Sequence, residues 1–332
     1  MMMSSGNLMN VTVSRHSISV IVCTRNRAEV LERALESLAR QQLRNEIPYE
    51  VIVVDNASTD VTPTIVARFE QRQGDPQVKR IVESKVGLSY ARNSGLQVAR
   101  GEIIAFLDDD AVAESTWLQE LLDTYVRFPD AWGVGGKTIP KTEKPYPTWF
   151  SGKMLRFLGG HDYGPRTLKL TERMSLQGAN MSFRRKAFDL VGDFSVSLGR
   201  KGNKQFSYED VEFCLRLRRT GKELYYTPKA WIWHHFPQQR LSMKEIALTR
   251  FRGAQSEAVV DQVYFGTLFT LAKSAKKAFS TLFAYPFLIA WNRLRAREDE
   301  VCYYWIYGCA TAGYILQTFR QLLRFQRGIW EK

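Results

Sequence analysis

The first half of the chain alternates strand-like apolar runs with segments of helical periodicity, and this order constrains the fold more than any other feature. Four runs have the length and composition of buried strands: residues 18–23, 50–55, 78–83 and 102–107. Segments with apolar residues at helical spacing lie between and after them: residues 28–42, 63–71, 89–99 and 116–128. Alternation of this kind predicts an α/β fold with a mainly parallel sheet flanked by helices.

Polar residues gather where three of the four predicted strands end. Residues 24–27 follow the first strand, Asp55 ends the second, and Asp108, Asp109 and Asp110 follow the fourth. Since ligands of such sheets bind beyond the carboxyl ends of the strands, these residues predict a polar binding site. A plain acidic turn after an edge strand is the alternative for the three aspartates.

The spacing of the aspartates indicates a divalent cation. Side chains alternate along an extended chain, so Asp108 and Asp110 would point the same way, roughly 7 Å apart. Two carboxylates without a basic neighbour repel each other unless a cation or solvent lies between them. Oxygen ligands of this kind suit Mn²⁺ or Mg²⁺, usually together with a substrate phosphate.

Charge and cysteine usage narrow the class of protein. The net charge of +13 suggests an anionic partner, such as a nucleotide, a nucleic acid, an anionic lipid or an acidic polymer. The four cysteines form no CxxC pair, which argues against a disulfide framework or a zinc site and favours a reducing compartment. Residues 1–17 contain no apolar run of signal-peptide length, so secretion through the amino terminus is not expected. The two commonest glycine-rich phosphate loops are absent as well, so a metal with Arg or Lys is expected to hold any anion.

Five short segments share a pattern with one enzyme family. They read VIVCTRNR (residues 20–27), VVDNASTD (53–60), GLSYARNSG (87–95), FLDDD (106–110) and YEDVEFCLR (208–216). In this order, over about residues 17–236, they resemble the motifs of family 2 glycosyltransferases, with Glu212 at a position where the family more often has Asp. The resemblance implies a GT-A fold and the inverting transfer of a sugar from a nucleotide donor.

By this resemblance, the donor nucleotide is bound by residues of the first four segments: Thr24, Arg27, Asp55, Arg92, Asp108 and Asp109. Asp55 would bind the base or the ribose, Arg92 would reach the diphosphate with a charge-assisted hydrogen bond, and Asp109 would support its neighbours. Plainer alternatives exist, because Asp55 can cap the next helix and the two arginines can lie on solvated surfaces.

The metal site implied by the resemblance combines two aspartates with a histidine. Asp110 would bind the ion directly, and Asp108 would contact both the ion and the ribose. His234 and His235 follow a short predicted strand at residues 230–233, and either can complete the site as a neutral ligand. Simple packing of both histidines is the alternative.

The transfer step needs a base, because a sugar hydroxyl is a poor nucleophile until its proton leaves. The resemblance assigns this role to the pair Glu209 and Asp210, of which we expect Asp210 to be the base and Glu209 to bind the acceptor or orient the loop. An acidic pair favoured by the dipole of the following helix is the alternative.

Gly178 and Asn180 lie in a segment that resembles the family strand between donor and acceptor sites, and we expect them to contact the acceptor; a plain strand and turn is the other interpretation.

The last third of the chain has a different pattern. From about Leu241 the strand pattern stops, so we expect a catalytic domain over residues 17–238 and a helical region over residues 239–332. Residues 268–283 carry apolar residues on one side and lysines elsewhere, as in a helix that rests on a membrane. Residues 301–319 contain no charged residue and have the length of a bilayer span, although their glycines and polar residues weaken that reading.

Three arrangements of this helical region stay open at this point. It is a soluble subdomain packed on the catalytic core, it attaches peripherally to a membrane through residues 268–320, or it spans the membrane. Attachment would place the enzyme in the cytoplasm, at the cytoplasmic face of a membrane. An anionic leaflet would then use part of the positive charge.

The predicted function is the metal-dependent transfer of a sugar, by default from a UDP-sugar, to a hydroxyl of a glycan or lipid-linked acceptor in polysaccharide or glycoconjugate biosynthesis. A sugar- or nucleotide-binding scaffold on a decayed transferase fold is the alternative, and the intact acids argue against it. Charge alone suggests nucleic acid, but no nucleic-acid motif is present and we expect no such partner.

Overall fold

Four parallel strands build the first half of the sheet, in the places where the alternating sequence predicts them. The computed structural model describes residues 17–326, apart from residues 45–46, 73, 75, 173, 202–203 and 206. The four strands are β1 (Ile18–Thr24), β2 (Tyr49–Asp55), β3 (Gln77–Val82) and β4 (Ile103–Asp108). Their order is β3-β2-β1-β4, with Thr24 opposite Asp55 and Cys23 opposite Asp108. The carboxyl ends of β1, β2 and β4 therefore meet at one edge.

The second half of the sheet is mixed. Its strands are β5 (Ala111–Ala113), β6 (Ala131–Lys141), β7 (Leu168–Lys169), β8 (Asn180–Arg184) and β11 (Glu223–His235), while β9 (Arg200–Lys201) and β10 (Lys204–Gln205) form a separate small hairpin. Strand β8 runs antiparallel between β4 and β6, and β11 runs parallel to β6. The amino end of β8 and the carboxyl end of β11 consequently lie at the same edge as the end of β4. The prediction of a mainly parallel sheet thus describes β1 to β4, whereas most later pairings among the described strands are antiparallel.

Helices cover both faces of the sheet, because successive side chains of a strand point to opposite faces. They are α1 (Ala28–Ala39), α2 (Thr62–Glu70), α3 (Leu88–Val98), α4 (Trp117–Arg127), α5 (Lys186–Val191) and α6 (Glu209–Arg219). Val22 packs in one apolar core with Leu31 and Trp117, and its neighbour Ile21 packs in the other core with Phe213. Fully burying side chains of this size stabilises the fold by about 1.5–3 kcal/mol each, so the two cores fix the sheet edge that carries the polar residues.

Beyond β11 the chain is helical, as the sequence predicts. Helix α7 (Met243–Phe279) runs through a π-helical turn (Ser280–Ala284) into α8 (Tyr285–Leu294), and α9 (Glu298–Gln326) follows. Residues 327–332 of the predicted helical region lie outside the described residues. In the part of the chain that is described, no helix combines the length and the apolar character needed to cross a membrane.

Helix α7 reverses direction at Gly266, where φ is +84° and the backbone is not helical. Before this point α7 runs along α9 in the same direction, and after it the chain returns antiparallel to α9, with Ser274 beside Thr318 and Thr281 beside Thr311. Glycine adopts this left-handed φ without the steric cost that a side chain would add. The result is a bundle of three helical segments that contact one another, and it meets the α/β part of the chain through an apolar cluster around the 3₁₀-helix Gly152–Leu158.

Candidate active site

Asp55 lies at the end of β2, with its carboxylate held by two groups. Its Oδ2 accepts a hydrogen bond from Nη2 of Arg80 at 2.5 Å, and its Oδ1 accepts one from the backbone N–H of Ser58 at 2.9 Å. Burial alone would raise the pKa of Asp55, but these hydrogen bonds and the charge of Arg80 outweigh it and hold the pKa below its usual range. The sequence left two roles open for Asp55, and its surroundings are compatible with both. The side chain caps the turn before α2, and it also presents a buried negative charge at the sheet edge.

A cavity of about 240 Å³ opens at the ends of β1 and β4, and its lining includes the residue after Asp55 but not Asp55 itself. Four of the residues predicted to bind the donor line it: Thr24, Arg27, Asp108 and Asp109. Asn56 also lines the cavity and shapes its rim, because its side chain donates to the carbonyl oxygens of Glu83 and Lys85 and accepts from the N–H of Gly87. The volume approaches the lower end of the range of small-molecule sites.

Asp108, Asp110 and His234 come together beside this cavity. One ligand atom from each lies within 4.8 Å of the others, and Nε2 of His234 is 3.1 Å from Oδ1 of Asp110. Strand β5 produces this meeting, because it follows Asp110 directly and pairs with β11 so that Ala111 stands opposite His234. His235 takes no part in the cluster, since the next side chain of a strand points the other way. Of the two predicted histidines, the fold thus brings His234 to the carboxylates.

The donor set of this cluster fits a divalent cation. Two carboxylates and an imidazole are ligands that Mn²⁺ accepts, and the buried Oδ1 of Asp110 makes no well-directed hydrogen bond within the described residues. Arg27 approaches from the side, with Nη2 at 2.5 Å from Oδ2 of Asp110 and Nη1 at 2.7 Å from Oδ1 of Asp109. An arginine expected from the sequence either in the donor pocket or on the surface therefore forms ion pairs with the aspartate cluster.

The two neighbouring aspartates respond oppositely to burial. Burial would raise the pKa of Asp110, but His234 and Arg27 outweigh it and hold the pKa well below its usual range. For Asp109, burial prevails over the opposing effect of Arg27 and raises the pKa to about 7. Asp110 is consequently ionised at neutral pH and able to bind a cation, whereas Asp109 is suited to support its neighbours.

Arg92 connects this cluster to the second acidic pair. It is 2% exposed, its Nη1 lies 2.6 Å from Oε1 of Glu209, and its Nη2 lies 3.2 Å from the carbonyl oxygen of Gly178 and 3.7 Å from Oδ1 of Asp108. A guanidinium buried among carboxylates balances their charge and fixes their separation. The alternative of a solvated helix face does not describe this side chain, and its described contacts are with protein groups.

Glu209 and Asp210 stand on the first turn of α6, in different surroundings. Glu209 is buried and paired with Arg92, whereas Asp210 is half-buried and accepts the N–H of Gly178 at 2.7 Å through Oδ2. The residue before them, Tyr208, has φ of +81°, a left-handed conformation that strains a bulky side chain. This strained residue lies directly before the first turn of α6. In that turn the carboxylate of Glu209 is buried, and that of Asp210 stays partly exposed.

Residue 178 must be a glycine because the side chains of Arg92 and Asp210 approach its backbone closely. A Cβ at this position would lie 2.6 Å from Nη2 of Arg92 and 3.2 Å from Oδ2 of Asp210. The absence of a side chain therefore allows the backbone of residue 178 to hold Asp210 and Arg92 at once. That contact joins the loop before β8 to the first turn of α6.

The side chain of Asn180 forms its hydrogen bonds with groups of the protein itself. It is fully buried; its Oδ1 accepts from Nε1 of Trp117 at 2.8 Å, and its Nδ2 donates to the carbonyl oxygens of Ala230 at 2.9 Å and Lys137 at 3.1 Å. These bonds tie α4, β6 and β11 together beneath the site. The side chain makes the two-way hydrogen bonds that the sequence suggested, but here its partners are protein groups.

Three participants were not foreseen from the sequence: Arg80, Asn56 and Tyr208. Arg80 could have been suspected, because it stands on the strand next to β2 and pairs in register with Val53, two residues before Asp55. Asn56 follows the end of β2 directly and belongs to a segment that the sequence already singled out. The positive φ of Tyr208 has no signal in a single sequence.

A sequence model described as glycosyl transferase family 2 matches residues 19–192. The glucosyl-dolichyl phosphate glucuronosyltransferase of Haloferax volcanii is 29% identical over 250 residues, which cover 74% of this chain and 78% of that protein. The succinoglycan biosynthesis protein ExoM of Rhizobium meliloti is 31% identical over 242 residues, covering 72% of this chain and 73% of that protein.

A solved structure has the same architecture. It is a mannosyltransferase from Pyrobaculum calidifontis in complex with GDP-Man and Mn²⁺, with a TM-score of 0.61, 19% sequence identity, and coverage of 94% of this chain and 88% of that one. At this identity the likeness concerns the fold, and it includes the helices that follow the sheet. The expected α/β architecture is thereby confirmed.

Proposed function

The chain belongs to glycosyl transferase family 2 and is a glycosyltransferase of the GT-A fold, and from this premise we propose that it moves a sugar from a nucleotide-sugar to a hydroxyl of a glycan or lipid-linked acceptor. One observation carries the proposal: the Asp108–Asp110–His234 cluster and the open carboxylate of Asp210 are connected through Arg92, which lies 3.7 Å from Oδ1 of Asp108 and pairs with Glu209, the neighbour of Asp210. A scaffold that had lost catalysis would have no use for these three acids kept in this arrangement.

The names of the relatives support the class of acceptor. One relative is named for a glucosyl-dolichyl phosphate, a sugar on a lipid carrier, and another for the biosynthesis of succinoglycan. A lipid-linked or growing glycan is therefore the acceptor we propose, within polysaccharide or glycoconjugate biosynthesis. The donor is by default a UDP-sugar, and GDP-sugars come next because the structurally similar mannosyltransferase holds GDP-Man.

The donor nucleotide is proposed to occupy the cavity at the ends of β1 and β4. Thr24, Arg27 and Asp109 would line its path, and Asp55 beside Arg80 would accept hydrogen bonds from the base or the ribose. Arg92 is proposed to act on the donor through its neighbours, since its described contacts hold Glu209 and Asp108 in place.

Asp108, Asp110 and His234 would hold a Mn²⁺ or Mg²⁺ ion, which would neutralise the charge that builds on the leaving diphosphate. His235 contributes through its backbone, because its N–H donates to the carbonyl oxygen of Asp110 at 2.8 Å and so fixes the turn that carries this ligand.

Asp210 is proposed to take the proton from the acceptor hydroxyl as that oxygen attacks the anomeric carbon. Its half-exposed carboxylate is accessible, and the N–H of Gly178 orients it. Glu209, which is buried against Arg92, is a positioning residue in this scheme. Gly178 would bring backbone close to the acceptor, while Asn180 holds the strands beneath it. A single displacement of this kind inverts the anomeric configuration.

The experiment that tests this function measures nucleotide release from a panel of UDP-, GDP- and dTDP-sugars with Mn²⁺, with EDTA, and in the variant Asp110→Ala. We expect release from one donor, lost on chelation and in the variant. Asp123→Ala, which removes an exposed carboxylate from α4, serves as the matched control and should behave as the wild type. Absence of both release and Mn²⁺-dependent nucleotide binding across the panel would contradict the proposal and favour a binding scaffold.

We further propose that the catalytic part comprises residues 17–238 and the helical region residues 239–332, and that the reaction takes place at the cytoplasmic face of a membrane. The surface that would make the membrane contact follows from the polarity of the helical region.

A further inference from the structure

The segment that returns from Gly266, residues 267–294, has its apolar side facing outward; we name it the outer segment. Between residues 272 and 291 each exposed position except Lys276 carries an apolar residue, and these positions recur every three or four residues. Five large side chains dominate this face, with 45% to 68% of their surface exposed: Phe279, Leu282, Phe283, Phe287 and Trp291. The spacing places them along one side of a continuous helix, as an apolar stripe.

The opposite side of the outer segment is polar where it packs on α9. Thr270, Ser274 and Asn292 are buried there, as are Thr311, Gln317 and Thr318 of α9. Ser274 donates to Thr318 at 2.8 Å, and the hydroxyls of Thr281 and Thr311 lie 2.5 Å apart. Helices that meet through small and hydroxyl side chains while their apolar residues point away are typical of packing in lipid.

We propose that the outer segment lies in the surface layer of a lipid bilayer, with the apolar stripe among the acyl chains. The charge of the outer segment and its end matches an anionic headgroup layer, since residues 267–295 contain five Lys or Arg and no Asp or Glu. Lys273 and Lys277 pair with Glu257 of the first half of α7, and the other three are exposed. Exposed Lys276 stands near one end of the stripe, and exposed Arg293 and Arg295 stand at the other. A face made of Phe, Leu and Trp is typical of helices that lie at the boundary between headgroups and hydrocarbon.

The length of the stripe argues for lying along the bilayer instead of crossing it. From Phe279 to Trp291 a helix rises about 18 Å, whereas the hydrocarbon core is about 30 Å thick. This agrees with the finding that no helix in the described part of the chain is long and apolar enough to cross a membrane. A second copy of the chain is a less suitable cover, because its stripe would bring a further set of lysines and arginines against the first.

The test is flotation of the full chain with vesicles of phosphatidylcholine, with and without phosphatidylglycerol. We expect binding that strengthens with the anionic lipid. The double variant Phe283→Glu/Phe287→Glu should weaken vesicle binding by roughly a hundredfold. Burial of the exposed half of each phenyl ring in lipid is equivalent to about a tenfold change in affinity. Val126→Glu/Leu190→Glu is the matched control, since it adds the same charges at exposed apolar positions of α4 and α5, and it should leave binding unchanged.

Several outcomes would overturn the proposal. The wild type would fail to float with either vesicle, or the two double variants would lose binding equally. If gel filtration instead shows a dimer that the Phe283→Glu/Phe287→Glu variant dissociates, without vesicle binding, the stripe is an interface between copies. Mn²⁺-dependent nucleotide binding by the variant reports on its fold and on the catalytic proposal separately.

A second readout avoids destabilising changes altogether. Brominated acyl chains quench tryptophans that reach the hydrocarbon, so vesicles made with them should quench the fluorescence of the wild type more than that of Trp291→Phe. Equal fractional quenching in both proteins would count against contact through this stripe.

Discussion

The catalytic sheet and the outer segment arrange polar and apolar side chains in opposite ways. In the sheet, Ile21 and Val22 are buried, and a charge such as that of Arg92 enters the interior beside a carboxylate partner. In the outer segment, Ser274 is buried and Phe283 is exposed. Both regions have regular periodicity, so the pattern of a sequence identifies the residues that share a face, and the environment decides which face turns inward.

The strongest test of the comparison separates the two regions by function. Asp210→Asn removes the proposed base and should lower kcat by about a hundredfold to ten-thousandfold, because general-base catalysis contributes rate factors of that size. Nucleotide binding and vesicle flotation should stay as in the wild type. Steady-state kinetics beside a flotation assay measures both.

Asp189→Asn, at an exposed position of α5, is the control for this substitution and should retain full activity. Full activity of Asp210→Asn itself would remove this residue from the role of base.

A second test makes the same substitution in each region. Phe213 is a fully buried residue of α6 that packs on Phe183 of β8. Phe213→Ala leaves a cavity there and should lower the free energy of unfolding by about 3–5 kcal/mol. Phe283→Ala, at 62% exposure, should change it by about 0.5 kcal/mol or less in water. Urea unfolding of both variants makes the measurement, and similar losses would contradict an outward-facing stripe.

Gly178→Ala tests how closely the loop before β8 is packed against Arg92 and Asp210. The added Cβ would lie 2.6 Å from Nη2 of Arg92, so Arg92 or Asp210 must shift, and kcat should fall by about tenfold to a hundredfold. Gly152→Ala is the matched control, since nothing lies within 4 Å of its Cβ position, and it should be neutral. If kcat is unchanged in both variants, the loop can move to accommodate the added Cβ, and its close packing does not affect the reaction.

The smallest effect is expected at the polar contact inside the helical region. Thr318→Val leaves the hydroxyl of Ser274 without its partner and should cost about 1 kcal/mol of unfolding free energy. Adding Ser274→Ala removes that hydroxyl as well and should recover most of the loss. A thermal unfolding cycle over the two single variants and the double variant gives the coupling energy, and a coupling near zero would mean that the contact contributes little.

The sequence predicted the first four strands and their helices because hydrophobic periodicity and strand length are local properties. The same argument placed Asp55 and Asp108 at one edge, since parallel strands end together. The antiparallel insertion of β8 and the inward commitment of Asn180 were not predicted, because both depend on partners from distant parts of the chain. The choice between the two histidines depends likewise on the register of β5 against β11, which neither strand specifies alone.

Pairing of β5 with β11 also orders events in time. Asp108 and Asp110 are two residues apart in the chain, whereas His234 lies far downstream and arrives only when β11 docks against the short strand β5. Contacts between distant segments form late, because closing the intervening chain costs entropy first. A nascent chain that has not yet completed β11 would offer an ion two carboxylates and no imidazole. Tight uptake of the ion would therefore mark the moment at which the sheet has closed.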